Sequence, residues 1–361
     1  MTKTRQISTS QMFSVLFLSR IISLFTFMLP SASYLPEGDR IITALPVMLI
    51  EFAFAAVLLY TLKKNDGRSL VSSVKDFSPV FSKILSVIYT LSFIWFAGIG
   101  TARSELFIST VMFPNSELTL MIVLLLSSCL YAALKGIEAI GRASQVLLFI
   151  LGISVAFILL SVAKEFEFYN LKPLFTEGIS PVAGFSFYVS VRAAELLSLN
   201  QAAPFIKGNV KKMIFLWIVS FAAVCTVLLL FLTGVTGEYG NDQLFPLYTL
   251  TVIAKFGIFE RLDDVLTGIW VLCSFIQAAY LLYLSIFTLK EGFSGAKKIP
   301  AAVMCTAGVF TVYFFTSRTV SIFSETVSSR VFDACFIILM IIIPLTITLM
   351  RHIKQKGRQK T

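Results

Sequence analysis

Charge is scarce in this chain, and histidine is nearly missing. Asp, Glu, Lys and Arg together make up 14% of 361 residues, while 57% are hydrophobic. A soluble protein of this length needs far more polar surface, so the solvent for most of the chain is lipid. The single histidine, His352, falls in a basic tail, which excludes histidine-based catalysis or metal binding inside the protein. The five cysteines, Cys129, Cys225, Cys273, Cys305 and Cys335, lie in apolar runs without ligand spacing. They read as small buried side chains rather than disulfides or a metal site. Also missing are a nucleophile beside a base, a phosphate loop and paired catalytic carboxylates. The Gly98 to Gly100 stretch sits in an apolar run with no phosphate-binding setting. No enzyme activity and no cofactor are expected.

What the chain has is hydrophobic length. About ten apolar stretches approach the roughly 20 residues that a spanning helix needs. They run from Met12 to Tyr34, Ile42 to Leu62, Ile84 to Thr110, Leu118 to Leu134, Ser144 to Ala163, Pro181 to Phe205, Ile214 to Leu232, Val265 to Leu289, Ala301 to Thr316 and Phe332 to Met350. The stretch Leu244 to Phe259 is too short and punctuated to span, and reads as an interfacial or re-entrant helix. With the N-terminus in the cytoplasm, about 20 Lys and Arg fall inside against about 7 outside, the bias that cytoplasmic loops show. The outside set is Arg40, Lys164, Lys172, Lys255, Arg261, Arg318 and Arg330. Both termini are therefore expected in the cytoplasm. A cleaved signal peptide ending near Pro30 to Ser33 is the other reading of the start, and it would spoil this count. The net charge of +10 is topological bias spread over short loops, so no nucleic-acid partner is expected.

The expected fold is an all-α integral membrane protein of about ten transmembrane helices, one polytopic domain over 1–361 with a basic tail at 351–361. The loop Lys164 to Ser180 divides the spans evenly, into 11–163 and 181–350. An odd number per half forces the second five-helix repeat to be inverted, with helices one and six its equivalents and candidates for breaking near the midplane. Those two spans carry charge mid-span: Arg20 with Ser19 and Ser23 in one, Arg192 and Glu195 in the other. Gly184, Ser186 and Ser190 are types that tolerate a broken helix; no glycine lies near Arg20.

Intramembrane charges face the interior and find partners. Arg20, Glu51, Arg103, Glu105, Arg192 and Glu195 are the candidates. Arg192 and Glu195, one turn apart, read either as a ligand site or as a structural pair; Arg103 and Glu105 read as solvated at a helix end. On the eighth span, Thr267, Trp270, Ser274 and Gln277 form one polar stripe. The third span offers Tyr89, Trp95, Gly98 and Thr101 as pocket walls. The expected ligand-binding set is Arg20, Ser23, Trp95, Gly98, Tyr188, Ser190, Arg192, Glu195, Trp270, Ser274 and Gln277, between helices one, three, six and eight.

Several stretches resemble the spore germination receptor B subunits, the endospore germination permease family, within the amino acid, polyamine and organocation transporter superfamily. They are KGIEAIGRAS at Lys135 to Ser144, LKPLFTEGISP at Leu171 to Pro181, AELLSLNQAAPFIKGNVKKM at Ala194 to Met213, FERLDDVLTGIW at Phe259 to Trp270, and the ISTSQMF start. The resemblance implies a LeuT-like fold of two inverted repeats and a membrane subunit that senses a small nutrient, commonly an amino acid, at the spore inner membrane. It also implies A and C partner subunits, the latter a lipoprotein. Glu195 and Pro204 match the family's acidic position and following proline in the sixth helix. Arg20 and Arg192 depart from it, which opens an acidic ligand or a pocket plugged by its own charges. Other readings are a proton- or sodium-coupled amino-acid transporter with Glu195 or Glu51 as coupling carboxylate, and a structural or channel-like component of a membrane complex.

Overall fold

The computed structural model describes residues 6–26, 35, 37–76, 78–113, 118–172, 178–254 and 263–358. Nearly all of them are helical. Strand β1 (Ile7–Ser8) leads into α1 (Thr9–Thr26); α2 (Glu37–Ile42) and α3 (Ala44–Lys64) follow, then the short α4 (Leu70–Lys75). Next come α5 (Pro79–Val111), α6 (Thr119–Lys135) and α7 (Ile137–Val162). The expected sixth span is two helices, α8 (Ile179–Ser190) and α9 (Ala194–Ala202), and ends in strand β2 (Ile206–Lys207). After α10 (Val210–Thr236) come α11 (Pro246–Ile253), α12 (Asp263–Gly292) and α13 (Lys298–Thr316). The last elements are α14 (Val320–Ser328), α15 (Arg330–Ile337) and α16 (Ile343–Arg358), the last two joined by a π-helical turn at Ile338–Ile342.

Eight helices among the described residues are long and apolar enough to cross a bilayer, and two shorter apolar ones, Thr9–Ile22 and Thr119–Lys135, accompany them. The protein is an integral membrane protein. Its layering follows burial: 78% of the apolar window in Thr267–Gly292 is inside the protein against 17% in Ile137–Glu165, so α12 is central and α7 peripheral. Accordingly α12 packs on α1, α5, α6, α7 and α13. Along α7, Val146, Phe149, Ile153 and Leu160 are exposed on the outer face; in a bilayer such a face meets acyl chains.

Local sequence explains where elements start. Ser78 caps α5 by accepting from the Phe81 N–H, with Pro79 in the first turn, where its missing N–H costs nothing. Asn209 caps α10 through the Lys212 N–H, and Thr319 caps α14 through the Ile322 N–H. Gly136 turns the chain between α6 and α7 at φ 104°, a conformation side chains disfavour. The strands β1 and β2 pair in parallel, Ile7 with Ile206 and Ser8 with Lys207, tying the start of the chain to the end of the broken helix.

Several expectations change. Helix α1 is continuous over its described length, so no break occurs at Arg20. Helix α5 begins five residues before Ile84 and continues to Val111, which places Arg103 about two turns inside the helix; Arg103 is half-buried rather than solvated. Arg40, assigned to an outer loop, is buried on α2. Cys335 is exposed, unlike the other cysteines. The short α14 was not anticipated, whereas α11 falls inside the anticipated Leu244 to Phe259 segment. Lys255, Arg261 and Phe259 lie outside the described residues.

Candidate functional site

The break between α8 and α9 organises the site. Ala193 sits at φ −76°, ψ 70°, and the Ala194 N–H donates to the Arg192 carbonyl at 2.9 Å. That is an inverse γ-turn. It leaves the last carbonyls of α8 short of their i+4 donors, Val189 accepting from the backbone only the Arg192 N–H at 3.3 Å, and two arginine side chains add to them. Arg192 Nη1 donates to the Tyr188 carbonyl at 2.7 Å, and Arg20 Nη2, from α1, donates to the Val189 carbonyl at 3.1 Å. Cations at the C-terminal end of one half-helix and Glu195 in the first turn of the next both match the helix dipoles.

Arg192 and Glu195 do not pair with each other. Arg192 Nη1 meets Asp333 of α15 at 2.8 Å, and its Nε and Nη2 donate to the Val327 carbonyl at the end of α14, at 3.2 and 2.8 Å. Its guanidinium also lies over Tyr188, 3.4 Å from the ring centroid, and near Phe332. The structural pair considered from the sequence is thus replaced by a clasp between the helix break and the α14–α15 segment. Arg20 Nη2 makes a 2.8 Å ion pair with Glu51 of α3, and Arg20 Nη1 stands 3.9 Å from Glu195 Oε2. All three side chains are at most 5% exposed. Two carboxylates therefore share one buried guanidinium.

These groups surround a cavity of about 170 Å³ walled by α1, α2, α3, α5, α8, α9, α10, α12, α14 and α15. An engineered cavity of about 150 Å³ admits benzene, so a small organic molecule fits. Its polar lining is Arg20, Glu51, Glu195 and Gln277 together with Arg40, Arg103 and Arg192. Phe96, Tyr188, Phe221 and Phe332 supply apolar walls.

Of the expected residues, Arg20, Tyr188, Arg192, Glu195 and Gln277 line this cavity. The others do not. Trp95 and Gly98 are each one residue out of phase with the cavity face of α5, which presents Phe96, Ile99, Gly100 and Arg103. The place a Cβ on Gly98 would take is filled by Val312 of α13. Ser190 donates to the Ser186 carbonyl within its own helix. Ser274 is hydrogen-bonded to Ser104 at 2.7 Å in the α5–α12 interface. Trp270 lines a separate, smaller space with Phe107 and Tyr248. The side chain of Ser23 lies outside the described residues. Arg40, Arg103 and Asp333 were missed as site residues; Arg103 and Asp333 carried the signal of a charge inside an expected span, Arg40 only that of a charge beside one.

A helical membrane protein with a charged cavity wrapped around a broken helix is a permease-type architecture. The chain belongs to the spore germination protein family, whose sequence profile matches residues 6–322. It is similar to the putative spore germination protein YfkT of Bacillus subtilis (strain 168), 24% identical over 260 residues that cover 70% of each chain. It is also similar to spore germination protein KB of the same organism, 30% identical over 104 residues, 28% of each chain.

Proposed function

We propose that this protein is the membrane subunit of a spore nutrient-germinant receptor, binding a small nutrient, an amino acid being the leading class, in the cavity at the helix break. The observation that carries the reading is the cavity itself: a ligand-sized space inside a spore germination family member, with ionised groups arranged around a γ-turn. Binding acts by differential affinity for two conformations, and the clasp of Arg192 on Asp333 and Val327 is the element such a shift would act on. In this reading the fold is two inverted five-helix repeats with both termini cytoplasmic, and the protein works without catalysis beside A and C receptor subunits in the spore inner membrane.

The test is a thermal-shift screen of the purified detergent-solubilised protein against the common amino acids and related nutrients. A ligand at 100 times its dissociation constant adds about 2.7 kcal/mol of stability. A selective upward shift supports the reading; none with any compound, on protein shown to be folded, favours a structural role in a larger complex. A second reading, a proton- or sodium-coupled amino-acid transporter, draws on the two buried carboxylates that share Arg20. Accumulation of a labelled amino acid in proteoliposomes under an ion gradient would favour it over a sensor.

A further inference from the structure

The last candidate span, Arg330–Arg351, is gripped by charge near both ends. Close to its start, Asp333 meets Arg192 from the helix break at 2.8 Å. At its end, Arg351 Nη2 pairs with Asp66 at 2.9 Å, and Arg351 Nη1 donates to the Lys64 carbonyl at 3.2 Å and to Asn65 Oδ1 at 3.3 Å. Those acceptors belong to the turn between α3 and α4. The path from Asp333 to Arg351 is about 27 Å at helical rise, most of the thickness of a hydrocarbon core.

Between the two grips the helix is pinned. Pro344 has no N–H, and in an α-helix its ring would strike the Met340 carbonyl. The chain widens instead into the π-turn at Ile338–Ile342, where the Ile343 N–H bonds to the Ile338 carbonyl. The Leu339 carbonyl is thereby left without a backbone donor, Ile343 being taken and Pro344 having none. The hydroxyl of buried Tyr89, on α5, donates to it at 2.7 Å. The Ile338 N–H still bonds to the Ala334 and Cys335 carbonyls, so helical bonding runs unbroken from α15 through the π-turn into α16.

The turn at the far end is poised. Asp66 lies at φ 55°, in the left-handed region that few residues with a side chain enter, and Gly67 follows at φ 67°. Beyond them Ser69 caps α4 through the Ser72 N–H and donates to Glu291 of α12 at 2.6 Å. Helix α4 buries Leu70, Val71 and Val74 and packs on α5, α9 and α12. With α4 fixed in this way, the segment left to adjust is the turn that Arg351 holds.

We infer that the last span is a lever: release of Asp333 by Arg192 at the cavity loosens the grip of Arg351 on the α3–α4 turn at the other end of the span. Leu339, held by Tyr89, is the pivot. Arg351 lies about 18 Å along the helix from it, so a tilt of about 5° carries the guanidinium about 1.6 Å. That is enough to take its hydrogen bonds out of range. The coupling does not depend on what occupies the cavity; where the cavity binds a nutrient as proposed above, the lever carries that event to the far end of the span.

The test needs no ligand. Lys63, Lys64 and Arg68 are exposed around the turn, so limited trypsin digestion of the full-length detergent-solubilised protein reports how often the turn opens. Cleavage at Lys297 and Lys298, exposed between α12 and α13, is the internal reference. Relative to it, Arg351→Gln is expected to speed cleavage of the turn at least about 5-fold, the scale of one lost hydrogen-bonded contact. Asp333→Asn should also speed it, at least about 3-fold, and adding Asp333→Asn to Arg351→Gln should change nothing further, because both act along one path. Arg192→Gln, which empties the same ion pair from the other side, should match Asp333→Asn. Cleavage of the turn at the native rate in both Asp333→Asn and Arg192→Gln, on protein with a native-like unfolding transition, overturns the inference. Equal acceleration at the reference loop overturns it as general loosening, and so do effects of Asp333→Asn and Arg351→Gln that simply add. The ligand screen decides separately whether the cavity binds a nutrient.

Discussion

Arg192 and Glu195 stand three residues apart and turn away from each other, one holding the end of α8 to Asp333, the other opening α9 beside Arg20. The γ-turn at Ala193 separates them. Each charge serves a different half-helix, which is why both are tolerated in an apolar span.

A double-mutant cycle should reflect this. Arg192→Gln with Asp333→Asn is expected to show a coupling of about 1 kcal/mol or more, and Arg192→Gln with Glu195→Gln less than about 0.5 kcal/mol. Denaturation of the four variants and the native protein in detergent checks it. Equal couplings would put Arg192 and Glu195 back into one network.

Removing one partner of the buried Arg20–Glu51 pair leaves an uncompensated charge. Glu51→Leu is expected to lose about 3 kcal/mol of stability, and the triple variant Arg20→Met, Glu51→Leu, Glu195→Gln to recover most of it, because only removing all three charges of the shared group removes the desolvation cost. The measurement is the unfolding midpoint of both variants. A triple variant no more stable than Glu51→Leu would show that the Arg20 bond to the Val189 carbonyl, rather than the ion pairs, holds the region.

Two glycines on α5 should behave differently. At Gly98 a methyl group meets Val312 and the Val309 carbonyl of α13, and Gly98→Ala is expected to cost about 1–3 kcal/mol by overpacking. At Gly100 the methyl meets only the end of the Gln277 side chain, which can move. Gly100→Ala should keep native stability and lose ligand response, read by thermal shift with and without the best-binding amino acid. Loss of stability alone at both positions would take Gln277 out of the site.

The clasp of Arg192 on Val327 and Asp333 can be read through Cys225, which lines the cavity, in a Cys335→Ser background because Cys335 is already exposed. Breaking the clasp with Asp333→Asn should speed modification of Cys225 by a small charged methanethiosulfonate reagent, several-fold by expectation. An unchanged rate would show that α14 and α15 do not control access.

The helix break was legible because it depends on local residue types: Ser186, Ser190 and the mid-span charges announce it within one segment. What the charges hold was not, since the partners of Arg192, at Val327 and Asp333, lie more than a hundred residues downstream and sequence spacing is blind to them. Trp95 shows a second limit. The third span was recognised as helical, but choosing Trp95 over Phe96 misses the cavity by one residue, about 100° of rotation on a helix, and the polar residues that set a phase along it, Ser86, Thr90 and Ser104, face α12 rather than the cavity. Arg40 and Arg103 failed for a third reason. Hydropathy starts the second span at Ile42, after Arg40, which α2 buries, whereas Arg103 lies inside the expected third span and reads from the sequence as solvated although it is half-buried. Gln277 was found because polar residues at three- and four-residue spacing do set a phase.

The pairing of β1 with β2 has a mechanical consequence. Every residue of α9 is buried and its far end is stitched to the start of the chain, whereas α8 buries only Val182, Ser186 and Ser190. The γ-turn at Ala193 thus joins a fully buried arm to one with exposed faces, which packs mainly on α3 and is clasped at its end to α14 and α15. Of the two, α8 with the α14–α15 segment gripped by Arg192 is the arm expected to yield.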